Sequence, residues 1–240
     1  MEIKKEEQLH HHETIINVDK VSKDFLVGEN VINALKEVDL QISATDFMVI
    51  FGPSGCGKST LLNTILGLDK PSKGNVTIRG TKIYSMEDDE RALFRAKKIG
   101  MIYQMPHWIK SLNVIENVAL PLIIEGEKEQ EALRRAKKTL AELEIEKLAK
   151  QMPTQLSGGQ QQKAGLARAL ISNPWILIAD EPTGNLDTTS SDEIMALFDT
   201  LNKKFKRTII MVTHNQAYWD MGTRRIQMQD GKIVKEVNHG

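Results

Sequence analysis

Cysteine is almost absent from this 240-residue chain: Cys56 stands alone. No internal disulfide can form, and a reducing, cytosolic setting is the expectation. Net charge is absent too, because 32 basic and 32 acidic side chains cancel. That balance gives no global pull towards nucleic acid, and no nucleic-acid partner is expected. Long apolar runs are missing as well. The longest, Val118 to Ile124 and Trp175 to Ala179, fall far short of the roughly 20 residues a bilayer-spanning helix needs, so any membrane role requires a partner. The first residues, MEIKKEEQLHHHETI, hold no apolar core of signal-peptide length and no cleavage site, and no export signal is expected there.

What remains is a length sufficient for one large α/β domain or a core with an inserted subdomain. Residues 1–13 are polar and read as a loose tail, and its histidines His10, His11 and His12, without a second ligand cluster, are assigned no function. From Thr14, near-alternation of Ile15, Val18, Val21 and Phe25, then Val38, Leu40 and Ile42, predicts short strands. Phe47 to Phe51 is a continuous apolar run, as expected of a strand buried on both faces. Lys58 to Leu66 has helical spacing. Residues 87–98 and 128–150 read as amphipathic helices and suggest a helical subdomain. A buried strand at Trp175 to Ala179, a helix from about Ser190 to Lys203 and a strand at Thr208 to Thr213 follow. Strands alternating with helices predict a mainly parallel sheet.

Between the first buried strand and its helix lies Gly52-Pro53-Ser54-Gly55-Cys56-Gly57-Lys58-Ser59, which satisfies the phosphate-loop pattern G-x-x-x-x-G-K-[ST] in the strand–turn–helix context that gives it meaning. Glycines let successive backbone N–H groups point at phosphate oxygens, and the helix adds its positive N-terminal end. Lys58 is expected on the β and γ phosphates and the Ser59 hydroxyl on Mg²⁺, with Thr60 completing the nucleotide contacts. Cys56 lies inside the loop, and its alkylation is expected to obstruct ATP binding by adding bulk beside the phosphates. Further on, the apolar strand ILIA ends in Asp180-Glu181. Asp180 would hold Mg²⁺ and Glu181 polarise the attacking water, unless the pair merely caps a helix or is solvated.

Leu156-Ser157-Gly158-Gly159-Gln160 stands between loop and carboxylates, and here the chain resembles the ABC ATPase family, whose signature is LSGGQ. Gln104, the signature, Asp180-Glu181, Asn185-Leu186-Asp187 and His214 follow in the family's order, and the similarity runs over residues 14–237. The resemblance implies a P-loop NTPase fold with a RecA-like core, an N-terminal antiparallel β subdomain and an inserted α-helical subdomain. Residues 14–103 and 165–240 would form the first two and residues 104–164 the third. It implies that Ser157, Gly158, Gly159 and Gln160 cap the γ-phosphate held by a second copy. Phe25 would stack on adenine in place of the commoner tyrosine. Gln104 would reach Mg²⁺ or the attacking water, His214 would bond the γ-phosphate, and Asp187 would sit at the subunit interface. The implied protein is an ATPase acting as a head-to-tail homodimer, peripheral on the cytoplasmic face of the cell membrane, that drives a separate permease contacted by Gln104 to Leu122.

GLDKPSKG, NVIENVALPL, LSGGQQQ, ADEPTGNLD and VTHN are similar to the subgroup serving lipoprotein release, macrolide or peptide export, and cell division. An exporter or mechanotransmission role is implied, with a regulatory role in a membrane complex as the alternative. The chain lacks the second cassette of ribosomal relatives and the long coiled coil of chromosome-type ones. Two departures stand out: Lys163 where arginine is commoner, and Met105-Pro106-His107-Trp108-Ile109 after Gln104. Trp108 either anchors a partner or packs internally.

Overall fold

The computed structural model describes residues 13–238; the expected tail and its histidines lie outside them, apart from residue 13. Two long strands, β1 (Thr14–Val27) and β2 (Asn30–Ser43), open the chain as a hairpin. Each is 14 residues long, where the sequence predicts shorter pieces. The difference has a local cause. Their pairing slips in register after Val18, Val21 and Lys23, with Lys20 and Glu37 at positive φ. Each bulge shifts the in–out alternation by one residue, so a continuous strand looks interrupted when read by period.

β3 (Phe47–Phe51) leads through the phosphate loop into α1 (Lys58–Ile65). Strands β4 (Lys73–Ile78) and β5 (Thr81–Lys82) extend the hairpin into a four-stranded antiparallel sheet of order β2-β1-β4-β5. Then come α2 (Asp88–Lys98), β6 (Ile99–Tyr103), α3 (Val114–Ile124), α4 (Glu129–Glu142), α5 (Gly158–Leu170), β7 (Ile176–Asp180), α6 (Thr188–Lys203) and β8 (Thr208–Thr213). The chain finishes with β9 (Arg224–Gln229) and β10 (Lys232–Asn238). The second sheet has the order β10-β9-β3-β8-β7-β6, parallel except for β10.

This parallel sheet is the middle layer. Phe47 and Val49 of β3 belong to an apolar cluster built with α3, α4, α5 and α6, whereas Met48 and Ile50 belong to another built with α1 and the antiparallel sheet. β7 and β8 divide in the same way: Leu177, Ala179, Ile209 and Met211 to one side, Ile176, Ile178, Ile210 and Val212 to the other. Burial on both faces is why these strands read as unbroken apolar runs.

Two helical expectations change. The amphipathic stretch 128–150 is α-helical only over Glu129–Glu142, with a short 3-10 turn at Glu146–Leu148, because Glu144 turns left-handed with φ 61°. The Ile145 N–H donates to the Leu140 carbonyl and the Glu144 N–H to that of Ala141, and the pair closes the helix end. Conversely, α3 forms where no helix is predicted, despite Pro121 within it. Asn113 and Glu116 satisfy each other's backbone N–H groups at its start, at 3.0 and 2.8 Å.

Candidate functional site

The loop between β3 and α1 takes its shape from two glycines with positive φ, Gly55 (77°) and Gly57 (105°). A Cβ on Gly57 would lie 2.5 Å from the Ala34 carbonyl of β2, so this glycine is also demanded by packing. A Cβ on Gly55 would meet nothing within 4 Å, which leaves that side of the loop open as a cradle. α1 begins at Lys58 with no side-chain cap and no acidic residue in its first turn, so its leading N–H groups are available to an anion. The Lys58 ammonium arches back over the loop and donates to the carbonyls of Gly52 (2.7 Å) and Pro53 (2.9 Å). A cleft of about 510 Å³ opens here, lined among others by Gly55, Lys58, Ser59, Thr60, Lys36 and Asp230.

Strand register assembles the rest. Phe51 lies opposite Thr213, Val212 opposite Asp180, and Asp180 opposite Tyr103. The phosphate loop, His214, Asp180-Glu181 and Gln104 therefore all emerge at the carboxyl ends of four adjacent parallel strands, where sheets of this kind gather ligands. Burial raises the Asp180 carboxyl above its ordinary value, the neighbouring Glu181 adds to the rise, and Lys58 opposes it. A carboxylate held in this way gains from a cation. Glu181 has φ 49°, and its N–H donates to the Val212 carbonyl at 3.0 Å. This backbone places its Oε2 2.8 Å from Nδ1 of His214 and within 3.4 Å of the His214 N–H. Gln104 donates to Oδ1 of Asn185 at 3.4 Å.

No group of three or more metal-ligating side chains is found among the described residues. A magnesium ion accompanying a nucleotide needs fewer, since phosphates and water complete its shell. One hydroxyl at the start of α1, one carboxylate with a raised pKa and an open glycine cradle fit such an ion and its nucleotide.

The signature residues are not brought into this cleft, whose lining includes none of Ser157 to Gln160. Ser157 caps α5: its Oγ accepts from the Gln160 N–H at 3.3 Å, and the Gln160 side chain accepts from the Ser157 N–H at 3.0 Å. The turn packs instead on the start of α6, where a Cβ on Gly159 would lie 2.7 Å from Ser190 Oγ. Asp187 caps α6, accepting the Ser190 N–H (2.9 Å) and hydroxyl (2.8 Å), bonds that hold its carboxyl below its usual pKa.

Other residues find definite places. Phe25 is half-buried near the hairpin tip, paired in register with Ile32, a residue of the cleft wall, and has the Lys23 ammonium 4.9 Å from its ring centroid. Trp108 packs internally: its Nε1 donates to Gln161 at 3.1 Å and Arg168 lies over its ring at 4.6 Å. Lys163 pairs with Glu193 at 2.7 Å and ties α5 to α6. The Cys56 side chain is buried against the core, and its Sγ would lie 2.7 Å from a Cβ on Gly52. The thiol faces inward rather than into the cleft, so the expected obstruction by alkylation loses its geometric basis.

Sequence reading missed Asn117. It is fully buried, donates to the carbonyls of Ile109, Leu112 and Asn113, and accepts the Ile109 N–H at 3.0 Å. The segment after Gln104 is thereby pinned to α3. A polar residue between Glu116 and Val118, on a stretch that is otherwise apolar, was the available signal.

Comparison with known proteins shows the family. An uncharacterized ABC transporter ATP-binding protein of Methanocaldococcus jannaschii is 45% identical over 93% of this chain and 100% of its own length. The lipoprotein-releasing system ATP-binding protein LolD 1 of Chlorobium chlorochromatii is 38% identical, over 92% and 91%. Among solved structures, the dimeric post-hydrolysis state of the ATP-binding cassette MJ0796 of Methanocaldococcus jannaschii, bound to ADP and Pi, is 41% identical with a TM-score of 0.87, covering 94% of this chain and 99% of that one. The family model described as ABC transporter matches residues 35–184, more than half of the sequence. A phosphate loop, a carboxylate-tipped strand and a capped LSGGQ helix, in a chain that matches these cassettes along nearly its whole length, place the protein in the ABC transporter family as one of its ATP-binding subunits.

Proposed function

We propose that two copies of this ATPase close head to tail around two ATP molecules and that the closure drives a separate membrane permease. One observation carries the reading: Ser157 to Gln160 stand outside the cleft that their own chain's phosphate loop lines. The positive N-terminal end of α5 suits an anion, and a two-fold pair lets each signature turn meet the other copy's phosphate loop. The dimeric form of the Methanocaldococcus cassette supports that pairing.

In this reading Gly52 to Thr60 hold the phosphates, Lys58 leaves the Gly52 and Pro53 carbonyls for β- and γ-phosphate oxygens, and Phe25 stacks on the base. Ser59, Asp180 and Gln104 would hold Mg²⁺, which when bound supplies charge neutralisation across the phosphates. Glu181 accepts a proton from the attacking water, and His214, already beside it, orients that carboxylate and bonds the γ-phosphate. Asp187, close to the signature turn, lies at the seam between copies.

No helix among the described residues is long and apolar enough to cross a membrane. In this reading the permease is a separate chain, and the subunit works from the cytoplasmic face. A largely apolar groove of about 410 Å³, lined by Ala96, Met101, Tyr103, His107, Pro121 and Ile124, supports docking there, as do exposed Met105 and Ile109 nearby. The likeness to a lipoprotein-releasing subunit favours export or mechanotransmission of a lipid-linked or hydrophobic cargo.

The test is Glu181→Gln. Hydrolysis falls by more than about 100-fold, while ATP converts the variant to a dimer in light scattering. A nucleotide-loaded variant that stays monomeric at high concentration overturns the sandwich, and unchanged turnover removes Glu181 from the base role.

A further inference from the structure

The cleft has a second cationic wall. β2 enters it at Ile32, Asn33, Ala34 and Lys36. Its pairing with β1 places Asp24 opposite Asn33 but Lys23 opposite Leu35, so Ala34 is an extra residue, a bulge. That bulge lies against Gly57 and Gly231, where the Ala34 carbonyl would be the nearest atom to an added Cβ, at 2.5 and 2.9 Å. The turn at Gly231 accepts the Lys36 N–H at 2.9 Å and donates its own N–H to the Cys56 carbonyl at 3.0 Å. Lys36 is therefore anchored, through one turn, to the backbone of the phosphate loop itself.

Its side chain is exposed on the cleft, and no ion pair joins it to a carboxylate among the described residues, Asp230 on the same wall included. The other lysine of the cleft, Lys58, bonds the loop's own carbonyls. Strand order then fixes what Lys36 can touch. β9, which ends at the Asp230-Gly231 turn, flanks β3 on one side, while β8 and β7, bearing His214 and Asp180-Glu181, lie on the other. Lys36 stands on the side away from the hydrolytic carboxylates and on the hairpin that carries Phe25.

We propose that Lys36 is a second cationic ligand of the bound nucleotide, directed at the nucleoside-proximal phosphates rather than the transferred one. The proposal rests on the nucleotide reading of the cleft and adds to it a residue outside the phosphate-loop motif. An ammonium at this place strengthens binding of any adenine nucleotide that has an α-phosphate, and contributes nothing to adenosine.

Competition against a fluorescent N-methylanthraniloyl ADP probe on the full chain tests it. Lys36→Ala is expected to weaken ATP, ADP and AMP alike by about five-fold at low salt, with the loss shrinking as salt rises and adenosine unaffected. Lys36→Arg restores most of the affinity. Equal affinities in parent and Lys36→Ala, or a loss that includes adenosine to the same degree, overturn the proposal. Lys58→Ala in the same assay separates the two levels: if it leaves ATP binding intact, the reading of the cleft fails, whereas a weakened Lys58→Ala beside an unaffected Lys36→Ala removes only Lys36.

Discussion

Asp180 illustrates how a single residue carries the tension of a nucleotide site. Burial and the adjoining Glu181 raise its carboxyl pKa, and Lys58 only partly offsets them. The sign follows: the folded state binds this proton more tightly than the unfolded chain does. The protonated carboxyl therefore favours folding at pH below the ordinary aspartate range, and that stability is lost as pH rises through the higher folded value. Free of metal and nucleotide, the protein at neutral pH holds a carboxylate that disfavours its own fold. Asp180→Asn is expected to raise the melting temperature in chelator at pH 7.5, on the order of 2 °C for a half-screened group, with a smaller difference at pH 4, while hydrolysis collapses. Thermal melts of the two proteins at both pH values check this, and a variant less stable than its parent at pH 7.5 contradicts it. Glu181 is the companion case. Its left-handed backbone, with φ 49°, is a cost concentrated beside the chemistry. No sequence pattern announces that conformation, since glutamate rarely adopts it.

At the scale of elements, the sequence reveals what has a period and hides what breaks one. β3, β7 and β8 are legible because burial on both faces leaves nothing polar in them. The phosphate loop and the LSGGQ signature are legible because each uses residue types at fixed spacing. The bulges of β1 and β2 and the end of α4 are not, because they depend on backbone shape at residues with no special chemistry. The end of α4 makes this measurable. Glu144 occupies a left-handed position that glycine fills without strain, and its side chain is exposed. Glu144→Gly should therefore stabilise the protein by about 1 kcal/mol, read as a higher urea midpoint at unchanged slope. A loss of stability would mean that the Glu144 side chain has a role outweighing its backbone cost. α3 shows the opposite failure: in the fold Asn113 and Glu116 cap its start, but Pro121 within it argues against a helix in the sequence. Asn117 resolves the conflict by satisfying backbone groups around the helix start, a role visible only once the loop is folded over it.

The whole molecule is a sheet with two different coats. One face is covered by α1 and the antiparallel hairpin sheet, which bring Lys36 to the phosphate loop and pair Phe25 with Ile32 of the cleft wall; the other is covered by α3 to α6, which bring the signature turn. The candidate nucleotide site sits at the carboxyl ends of the strands, and Gln104 leaves the end of β6 to enter the segment that Asn117 holds against α3. That segment borders the apolar groove through His107, so under the proposed function a movement of Gln104 towards nucleotide would reach the groove wall within a few residues. Ile124 stands at the other end of this route. It is 68% exposed on the groove rim, outside both the nucleotide cleft and the apolar core. Replacing it with glutamate should leave the fold intact, since exposed positions tolerate charge within about 0.5 kcal/mol. It should also place a charge where an apolar partner surface must desolvate it, and so weaken assembly with the permease by at least about 10-fold. Co-purification from membranes of cells expressing the parent and Ile124→Glu, with soluble ATPase activity of both as the control, decides the matter. Equal recovery of a membrane partner by the two proteins would move the docking face away from this groove, whereas loss of the partner at unchanged soluble activity ties the groove to the membrane and leaves the nucleotide chemistry where the strand ends put it.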